Sequence, residues 1–176
     1  MSPAMKIDQA ERILDAAAEL FARHGVNPVG MGEVARAAGC SRATLYRYFE
    51  DRRALHLAFV RREARRIGVR VATETAALSD PGERLTAAVL VAVRLVREVP
   101  ALLAWFGAAD AATTAGLAQS DEVIEGLGLR AVGDLDAARW LVRVIVSLLI
   151  VPGRDEAEER RIVERYVVPG VLDSRA

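Results

Sequence analysis

Guanidinium and hydroxyl groups are concentrated in one short segment of the chain, residues 41–52. They belong to Ser41, Arg42, Thr44, Tyr46, Arg47, Tyr48 and Arg52, with the small Ala43 among them. An arginine can form two hydrogen bonds with the edge of a guanine, and a small apolar side chain can contact the thymine methyl group. Arginine and hydroxyl side chains also bind phosphate oxygens. These residue types are therefore those of a surface that contacts DNA.

Two short helices joined by a tight turn are predicted to position these side chains. The first helix has a small apolar face, which consists of Val34, Ala35 and Ala38. Gly39 follows, at the place where a left-handed C-terminal cap favours glycine. Ser41 can then cap the second helix, on which Leu45 and Phe49, four residues apart, point inward together. The remaining residues of the second helix face outward, so the segment is predicted to be a helix-turn-helix.

Around this segment the chain resembles the tetracycline-repressor (TetR) family of transcriptional regulators. The family signature reads approximately I-A-x-x-A-G-V-S-x-x-T-L-Y-x-Y-F-x-x-K-x-x-L. Residues 34–55 of this chain read VARAAGCSRATLYRYFEDRRAL. Residues 12–25, RILDAAAELFARHG, also resemble the first helix of the family. The resemblance covers about the first third of the chain, and beyond it rests on helical character.

Three residues depart from the family pattern. Gly30 lies where the family usually has a threonine that caps the second helix and touches phosphate, so this contact is not carried over. Arg52 replaces the customary lysine, and Cys40 replaces a valine.

The resemblance implies an all-α protein with two domains joined by a long helix. Residues 1–52 would form a three-helix DNA-binding domain, and residues 53–176 a helical domain for effector binding and dimerisation. DNA contacts are expected from Ser41, Arg42, Ala43, Thr44, Tyr46, Arg47, Tyr48 and Arg52. Arg42, Ala43 and Thr44 would meet base edges. Tyr46 and Arg52 would bind phosphates, and Arg47 either kind of group.

Charge is distributed unevenly along the chain. Residues 1–66 hold twelve Lys and Arg against eight Asp and Glu, net +4, whereas residues 67–176 hold twelve against sixteen, net −4. A basic first part on an acidic remainder suits a polyanion bound at one end of the molecule. Apolar residues make up 52% and charged residues 27%, which favours a folded protein over a disordered one.

Several features favour a cytoplasmic location. The single cysteine excludes an intrachain disulfide and is compatible with a reducing cytosol. Residues 6–12 are polar, unlike a secretory signal. The most apolar run, residues 144–151, has eight residues, against about twenty needed to cross a bilayer.

Helical periodicity continues through the rest of the chain without an alternating strand pattern. The predicted helices cover about residues 8–24, 51–79, 81–99, 121–132, 135–151 and 155–168. Leu55 and Phe59 can pack on the first domain. Arg61, Arg62, Arg65 and Arg66 form either a phosphate clamp or a solvated helix face. Because their helix leads away from DNA, a solvated face is favoured for these four, and phosphate contact for Arg52 and Arg53 at its beginning.

The helix of residues 135–151 is apolar on almost all sides from Trp140 onward, which is hard to accommodate in a small monomer. The family typically dimerises through its last two long helices, so the resemblance implies a homodimer with two recognition helices for a two-fold operator. The expected interface residues are Trp140, Val144, Leu148, Ile162 and Tyr166. Ile162, Tyr166 and Val163 are expected to face inward on the last helix. The alternative is that residues 144–151 form the core of the second domain, and both can hold in part.

The family keeps its effector pocket in the region of residues 84–132. Trp105 and Phe106 could line an apolar cavity there, and Thr113 and Thr114 could supply hydrogen bonds. The alternative is a plain core, because tryptophan, alanine and glycine also serve close helix packing. The family resemblance favours a cavity for a small, largely apolar effector over a plain core.

Sequence motifs for catalysis are lacking. His24, His56 and Cys40 stand in the DNA-binding region without metal-ligand spacing, and there is no phosphate loop or nucleophile elbow. We therefore expect no enzymatic activity, no cofactor and no metal. The sequence predicts a dimeric transcriptional regulator, a repressor released from operator DNA by a small molecule. The alternative is a helical protein–protein adaptor without DNA affinity, which salt-dependent binding to duplex DNA would distinguish.

Overall fold

The computed structural model describes residues 3–106, 121–129 and 133–173, and within these ranges the chain forms helices and short turns. The helices are α1 (Pro3–His24), α2 (Met31–Ala37), α3 (Arg42–Tyr48), α4 (Arg52–Thr75), α5 (Pro81–Arg97), α6 (Pro100–Leu103), α7 (Asp121–Gly126), α8 (Leu135–Ile150), α9 (Glu156–Ile162) and α10 (Val168–Asp173). A 3₁₀ turn, Ala104–Phe106, follows α6, and a π-helical turn, Val163–Val167, joins α9 to α10. No strand occurs within these ranges, so the predicted all-α fold is confirmed for them. Within the same ranges, no helix combines the length and the apolar character of a membrane-spanning segment.

Aspartate side chains cap four of these helices. Asp51, Asp80, Asp134 and Asp155 each accept a hydrogen bond from a backbone N–H in the first turn of the helix that follows. Those N–H groups have no partner within the helix, so the caps fix where α4, α5, α8 and α9 begin. Pro81 occupies the first position of α5, where its missing N–H costs no hydrogen bond.

Helices α1, α2 and α3 pack around one apolar core, which the first part of α4 completes. The core includes Ile13, Phe21, Val34, Leu45, Leu55 and Phe59, none of them more than 2% exposed. Leu55 and Phe59 belong to α4, so the prediction that this helix packs on the first three is confirmed. Because α4 continues without a break to Thr75, it connects that core rigidly to the rest of the protein.

Arg62 ties α4 to α1 from within the protein. Its side chain is only 9% exposed, and its guanidinium donates to Asp15 at 2.7 Å, Glu11 at 3.2 Å and Glu63 at 2.8 Å. Arg66 also donates to Glu63, at 3.0 Å. The expected solvated face is therefore wrong for Arg62, because carboxylates from two helices enclose its charge.

The same helix does present a solvated arginine face elsewhere. Arg61 and Arg65 are exposed, as is Arg66. The four arginines thus divide between one buried tie and a surface row, a division that their spacing alone does not indicate.

Helix α4 ends at Thr75, about one turn before the predicted end at residue 79. The Thr73 and Thr75 hydroxyls donate back to the Val69 and Val71 carbonyls, each at 2.9 Å. The chain then turns to bring Asp80 into an extended conformation, which the following proline favours.

Helix α7 is shorter than predicted and crosses α4 at very close range. It ends at Gly126, and Gly128 follows with φ of +72° instead of continuing to residue 132. A Cβ atom built on Gly126 would lie 2.6 Å from the Ala64 Cβ, and one built on Gly68 would collide with the Gly126 carbonyl oxygen. The two glycines therefore allow the backbones to touch.

Arg97 of α5 joins α8 to α9. Its guanidinium donates to the Leu148 carbonyl at 2.9 Å and to both Glu159 carboxylate oxygens, at 2.7 and 2.9 Å. Glu159 is 3% exposed, and the Arg97 hydrogen bonds lower the pKa of its carboxyl group. The bidentate ion pair thus joins α5 to α9, and the hydrogen bond to the Leu148 carbonyl adds α8.

The last helical segment has a different buried face from the one predicted. Val163 is fully buried, as expected, but Ile162 and Tyr166 are exposed. The π-helical turn shifts the register, so that Val167 and Val171 follow Val163 into the core. The predicted end at residue 168 is also wrong, because Pro169 falls in the first turn of α10, where a proline is tolerated.

Candidate nucleic-acid interface

The turn between α2 and α3 is closed by two backbone hydrogen bonds. Gly39 has φ of +63°, and its N–H donates to the Arg36 carbonyl at 3.1 Å. The Cys40 N–H donates to the Ala35 carbonyl at 2.9 Å. This is a Schellman motif, which ends a helix and turns the chain sharply. Because the left-handed conformation favours glycine, Gly39 sets the angle between the two helices.

Helix α3 turns one face into the core and the other to solvent. Leu45 is fully buried, and Phe49, directly after the helix, is 7% exposed. Arg42, Ala43, Tyr46 and Arg47 are exposed, and Thr44 and Tyr48 are half-buried. The predicted division of α3 into an inward and an outward face is confirmed.

The hydroxyl groups of Ser41 and Thr44 act as a pair at the start of α3. Ser41 Oγ accepts a hydrogen bond from the Thr44 N–H at 3.0 Å, so the predicted cap is confirmed. The two hydroxyl oxygens are 2.9 Å apart and share a second hydrogen bond. One of their two hydroxyl protons is used between them, which leaves one O–H donor for an outside acceptor.

The end of α3 carries a cation beside two tyrosines. The Arg47 Cζ lies 5.6 Å from the centre of the Tyr48 ring, within the range of a cation–π contact. Tyr46, one position earlier, is 49% exposed. A guanidinium and a phenol hydroxyl are thus presented on the outward face of α3.

Arg52 points towards the protein more than the sequence indicates. Its Nη2 donates to the backbone carbonyls of Val26 and Asn27, both at 2.7 Å, and its Nε lies 3.4 Å from His56 Nε2. These bonds hold the loop that leads into α2. Of the three guanidinium nitrogens, Nη1 remains for an outside acceptor such as phosphate.

Two of the departures from the family pattern surround α2. Gly30 caps α2 through its backbone alone, without a side-chain hydrogen bond. Cys40 is half-buried, and burial raises the pKa of its thiol, an effect that the nearby Arg12 guanidinium partly offsets. The thiol is therefore neutral at physiological pH and adds no charge to this surface.

An apolar cavity of about 70 Å³ lies between α4 and α8. Its walls include Val60, Ile67, Leu102, Trp105, Phe106, Leu127, Ile145 and Leu149. Trp105 and Phe106 are the two residues that the sequence suggested for a pocket. Thr113 and Thr114 lie outside the described residues. Among the described residues, every side chain that lines the cavity is apolar.

The Trp105 indole connects this cavity to the helix-turn-helix region. It stacks on the Phe59 ring of α4, with centroids 6.0 Å apart and planes 9° apart. Its edge contacts are with His56, at 5.0 Å, and Phe21 of α1, at 5.9 Å. Since His56 also touches Arg52, direct contacts run from the cavity wall to the loop before α2. The four-residue spacing of Arg52 and His56 on one helix was the available sequence signal for this contact.

The residues expected at a dimer interface fall into two groups. Trp140, Ile162 and Tyr166 are exposed, by 46%, 37% and 66%, although tryptophan, isoleucine and tyrosine are large and apolar. Val144 and Leu148 are buried in the core of the protein, as the alternative of a core helix predicts, and their place at a dimer interface stays a prediction. Ile150 and Val151, at the end of α8, are exposed as well.

Comparison with known proteins gives the same picture of the first helices and of the whole fold. Residues 13–59 match the family described as "Bacterial regulatory proteins, tetR family". An uncharacterized HTH-type transcriptional regulator of Mycobacterium tuberculosis is 45% identical over an alignment 176 positions long. The alignment covers 95% of this chain and 87% of the relative.

Two solved structures are similar over nearly the full length. A TetR transcriptional regulator from Rhodococcus sp. RHA1 has a TM-score of 0.68 at 25% identity, covering 96% of this chain and 97% of that chain. RolR in complex with the ligand resorcinol has a TM-score of 0.69 at 21% identity, covering 99% of this chain and 94% of that chain.

Proposed function

Because the chain belongs to the TetR family of helix-turn-helix transcriptional regulators, we propose that it is a dimeric repressor that a small, largely apolar ligand releases from a two-fold operator. The observation that carries the proposal is the outward face of α3. Four exposed residues, Arg42, Ala43, Tyr46 and Arg47, stand opposite the buried Leu45. A short helix held firmly on one side and presenting such groups on the other suits the major groove.

We assign base contacts to the first turn of α3 and phosphate contacts to its end. Arg42 can pair with a guanine, Ala43 can contact a thymine methyl group, and the remaining donor of the Ser41–Thr44 pair can serve a base or a phosphate. Tyr46 and Arg47, further along the helix, are suited to phosphate oxygens. Tyr48 supports Arg47 through its ring.

For Arg52 we propose two roles together. Its Nη2 holds the loop before α2 through the carbonyls of Val26 and Asn27. Its Nη1 can bind one phosphate from that fixed position. Arg53, beside it, is exposed and can bind the DNA backbone. Unlike Arg52, it is not proposed to hold a loop of the protein.

We propose that the exposed apolar residues of α8 and of the last helical segment form the dimer interface. Trp140 and Ile150 are exposed on α8, and Ile162 and Tyr166 follow on the last segment. Large apolar groups concentrated at the surface are commonly covered by a partner. A second copy would cover them and place two α3 helices on one operator.

The effector is proposed to act by enlarging the cavity beside Trp105. A volume of about 70 Å³ is well below the roughly 300–1,000 Å³ of typical small-molecule sites. An effector must therefore push its walls apart. Trp105 cannot move without disturbing Phe59 and His56 on α4. The displaced α4 would then change the position of each α3 relative to its copy in the dimer.

The DNA-binding part of the proposal is tested by equilibrium binding of the full-length protein to a mixed-sequence duplex at several salt concentrations. Affinity should fall steeply with salt, because phosphate contacts release counterions. Arg53→Ala should make the logarithmic slope shallower by about one unit. Arg61→Ala is the matched control, since Arg61 is also exposed on α4 but lies about 12 Å further along the helix. Absence of salt-dependent binding would favour an adaptor that does not bind DNA.

A further inference from the structure

The Arg42 side chain lies against the backbone of α2 at Gly32. A Cβ atom built on Gly32 would be 2.5 Å from Arg42 Nη2, 2.7 Å from Nε and 2.9 Å from Cζ. Such distances are too short for real Cβ atoms, so any side chain at residue 32 would displace the guanidinium. The two residues are ten apart in sequence and lie on different helices, α2 and α3.

The backbone of α2 does not itself require glycine at this position. Gly32 lies inside the helix and does not adopt the left-handed conformation. Alanine is favoured over glycine within helices, so the local conformation would accept a side chain. A side chain at residue 32 would instead fill the space that the Arg42 guanidinium occupies.

The Arg42 guanidinium lies beside Gly32 by close contact and not by charge attraction. Arg42 is the first residue of α3, and Gly32 is the second residue of α2, so both neighbouring backbones are helix N-terminal turns. Such turns carry partial positive charge and do not attract a cation. The guanidinium thus fills the space beside Gly32, while the Arg42 side chain stays exposed at the surface.

We propose that Gly32 is a positioning residue for the reading of DNA sequence. The missing side chain at residue 32 forms a slot that holds Arg42 in one place beside the outward face of α3. Arg42 is thereby ordered before DNA arrives, and its donors meet one base position in each half-site. This inference rests on the proposed DNA-binding function and on Arg42 as a base contact.

The size of the effect follows from the ordering of a long side chain. Immobilising such a side chain during binding weakens affinity by about 2–10-fold, a loss that prior confinement avoids. Gly32→Ala should therefore weaken binding to the preferred site by about 2–10-fold and relax base preference at one position per half-site. The melting temperature should stay the same or rise, because the methyl group displaces only the end of a flexible side chain.

The test is selection from a randomised duplex pool, followed by affinity measurements on the preferred site. Four variants are compared with the original protein: Gly32→Ala, Arg42→Ala, the double variant, and Gly30→Ala. Gly30 is the control, since it lies two residues away and a Cβ there meets no atom within 4 Å. Gly30→Ala should therefore leave the base preference unchanged.

If Gly32 acts through Arg42, the double variant should bind and select like Arg42→Ala alone. Additive losses in the double variant would overturn the inference, as would a Gly32→Ala protein that selects the same bases with the same affinity as the original. If Arg42→Ala does not change the preference, Arg42 is not a base contact and the inference fails with it. A protein that selects no site at all would instead refute the proposed function.

Discussion

Replacing Arg62 with methionine tests the buried tie between α1 and α4. The variant keeps a long side chain but removes the positive charge that pairs with Glu11, Asp15 and Glu63. Glu11 and Asp15 are 46% and 62% exposed, so they can regain water, and such pairs contribute at most about 1 kcal/mol each. Glu63 remains buried as a carboxylate, and breaking a buried pair costs about 3–5 kcal/mol.

The remaining contact between Glu63 and Arg66, at 3.0 Å, should reduce this cost. We therefore expect Arg62→Met to lower the free energy of unfolding by about 3 kcal/mol. In a protein of this size, that corresponds to a melting temperature about 6–12 °C lower. Thermal melts followed by circular dichroism would measure this change. The protein concentration is kept fixed, since the proposed dimerisation would make the melting temperature depend on it.

Arg65→Met is the matched control, because Arg65 lies on the same helix but is exposed. It should change the free energy of unfolding by less than about 0.5 kcal/mol. Equal melting temperatures for the Arg62 and Arg65 variants would refute the description of Arg62 as a buried tie.

Two further predictions concern the second half of the chain. Tyr166→Asp should dissociate the dimer in analytical ultracentrifugation, because it places a charge in the proposed interface. Val69→Asp should not, since Val69 is similarly exposed, by 63%, but lies on α4. The Arg97 hydrogen bonds hold the pKa of Glu159 below its usual value of 4.5, so its contribution to stability is present above about pH 4.5 and is lost as the pH falls through the lower, folded-state pKa. Glu159→Gln should therefore be less stable than the original protein at neutral pH, and this difference should shrink on acidification in pH-dependent denaturant melts.

Local signals predicted the helix-turn-helix well. The left-handed Gly39, the Ser41 cap and the inward pair Leu45 and Phe49 each depend on residues a few positions apart. Such short-range patterns determine both the turn and the outward face of α3. The candidate DNA-binding residues of α3 could therefore be placed on its outward face from sequence alone.

Contacts between distant segments could not be predicted in the same way. Arg62 meets Glu11 and Asp15, about fifty positions away, and nothing in the spacing of four arginines indicates which one is buried. Arg52 likewise binds carbonyls of a loop that sequence does not place beside it. Every residue has a backbone carbonyl, so a contact with one cannot be recognised from the type of residue in the sequence.

The faces of α8 could have been predicted better than they were. Asp136, Arg139, Arg143 and Ser147 recur at helical spacing and mark a polar stripe. Trp140 lies beside this stripe and is exposed, whereas Val144 and Leu148 lie further round the helix and are buried.

In the last segment, Glu159, Val163 and Val167 are the buried positions, so Ile162 and Tyr166 lie on the exposed face. Glu159 is buried through its ion pair with the distant Arg97, which local sequence patterns do not indicate.

The central claim is that a dimer of this protein reads a specific DNA sequence through α3. Selection of bound duplexes from a randomised pool by the full-length protein tests it most directly. We predict enrichment of two inverted half-sites whose centres are about one helical turn apart, roughly 34–36 Å, or a multiple of that distance. A pool that shows no enrichment, or a single half-site without an inverted copy, would contradict the claim.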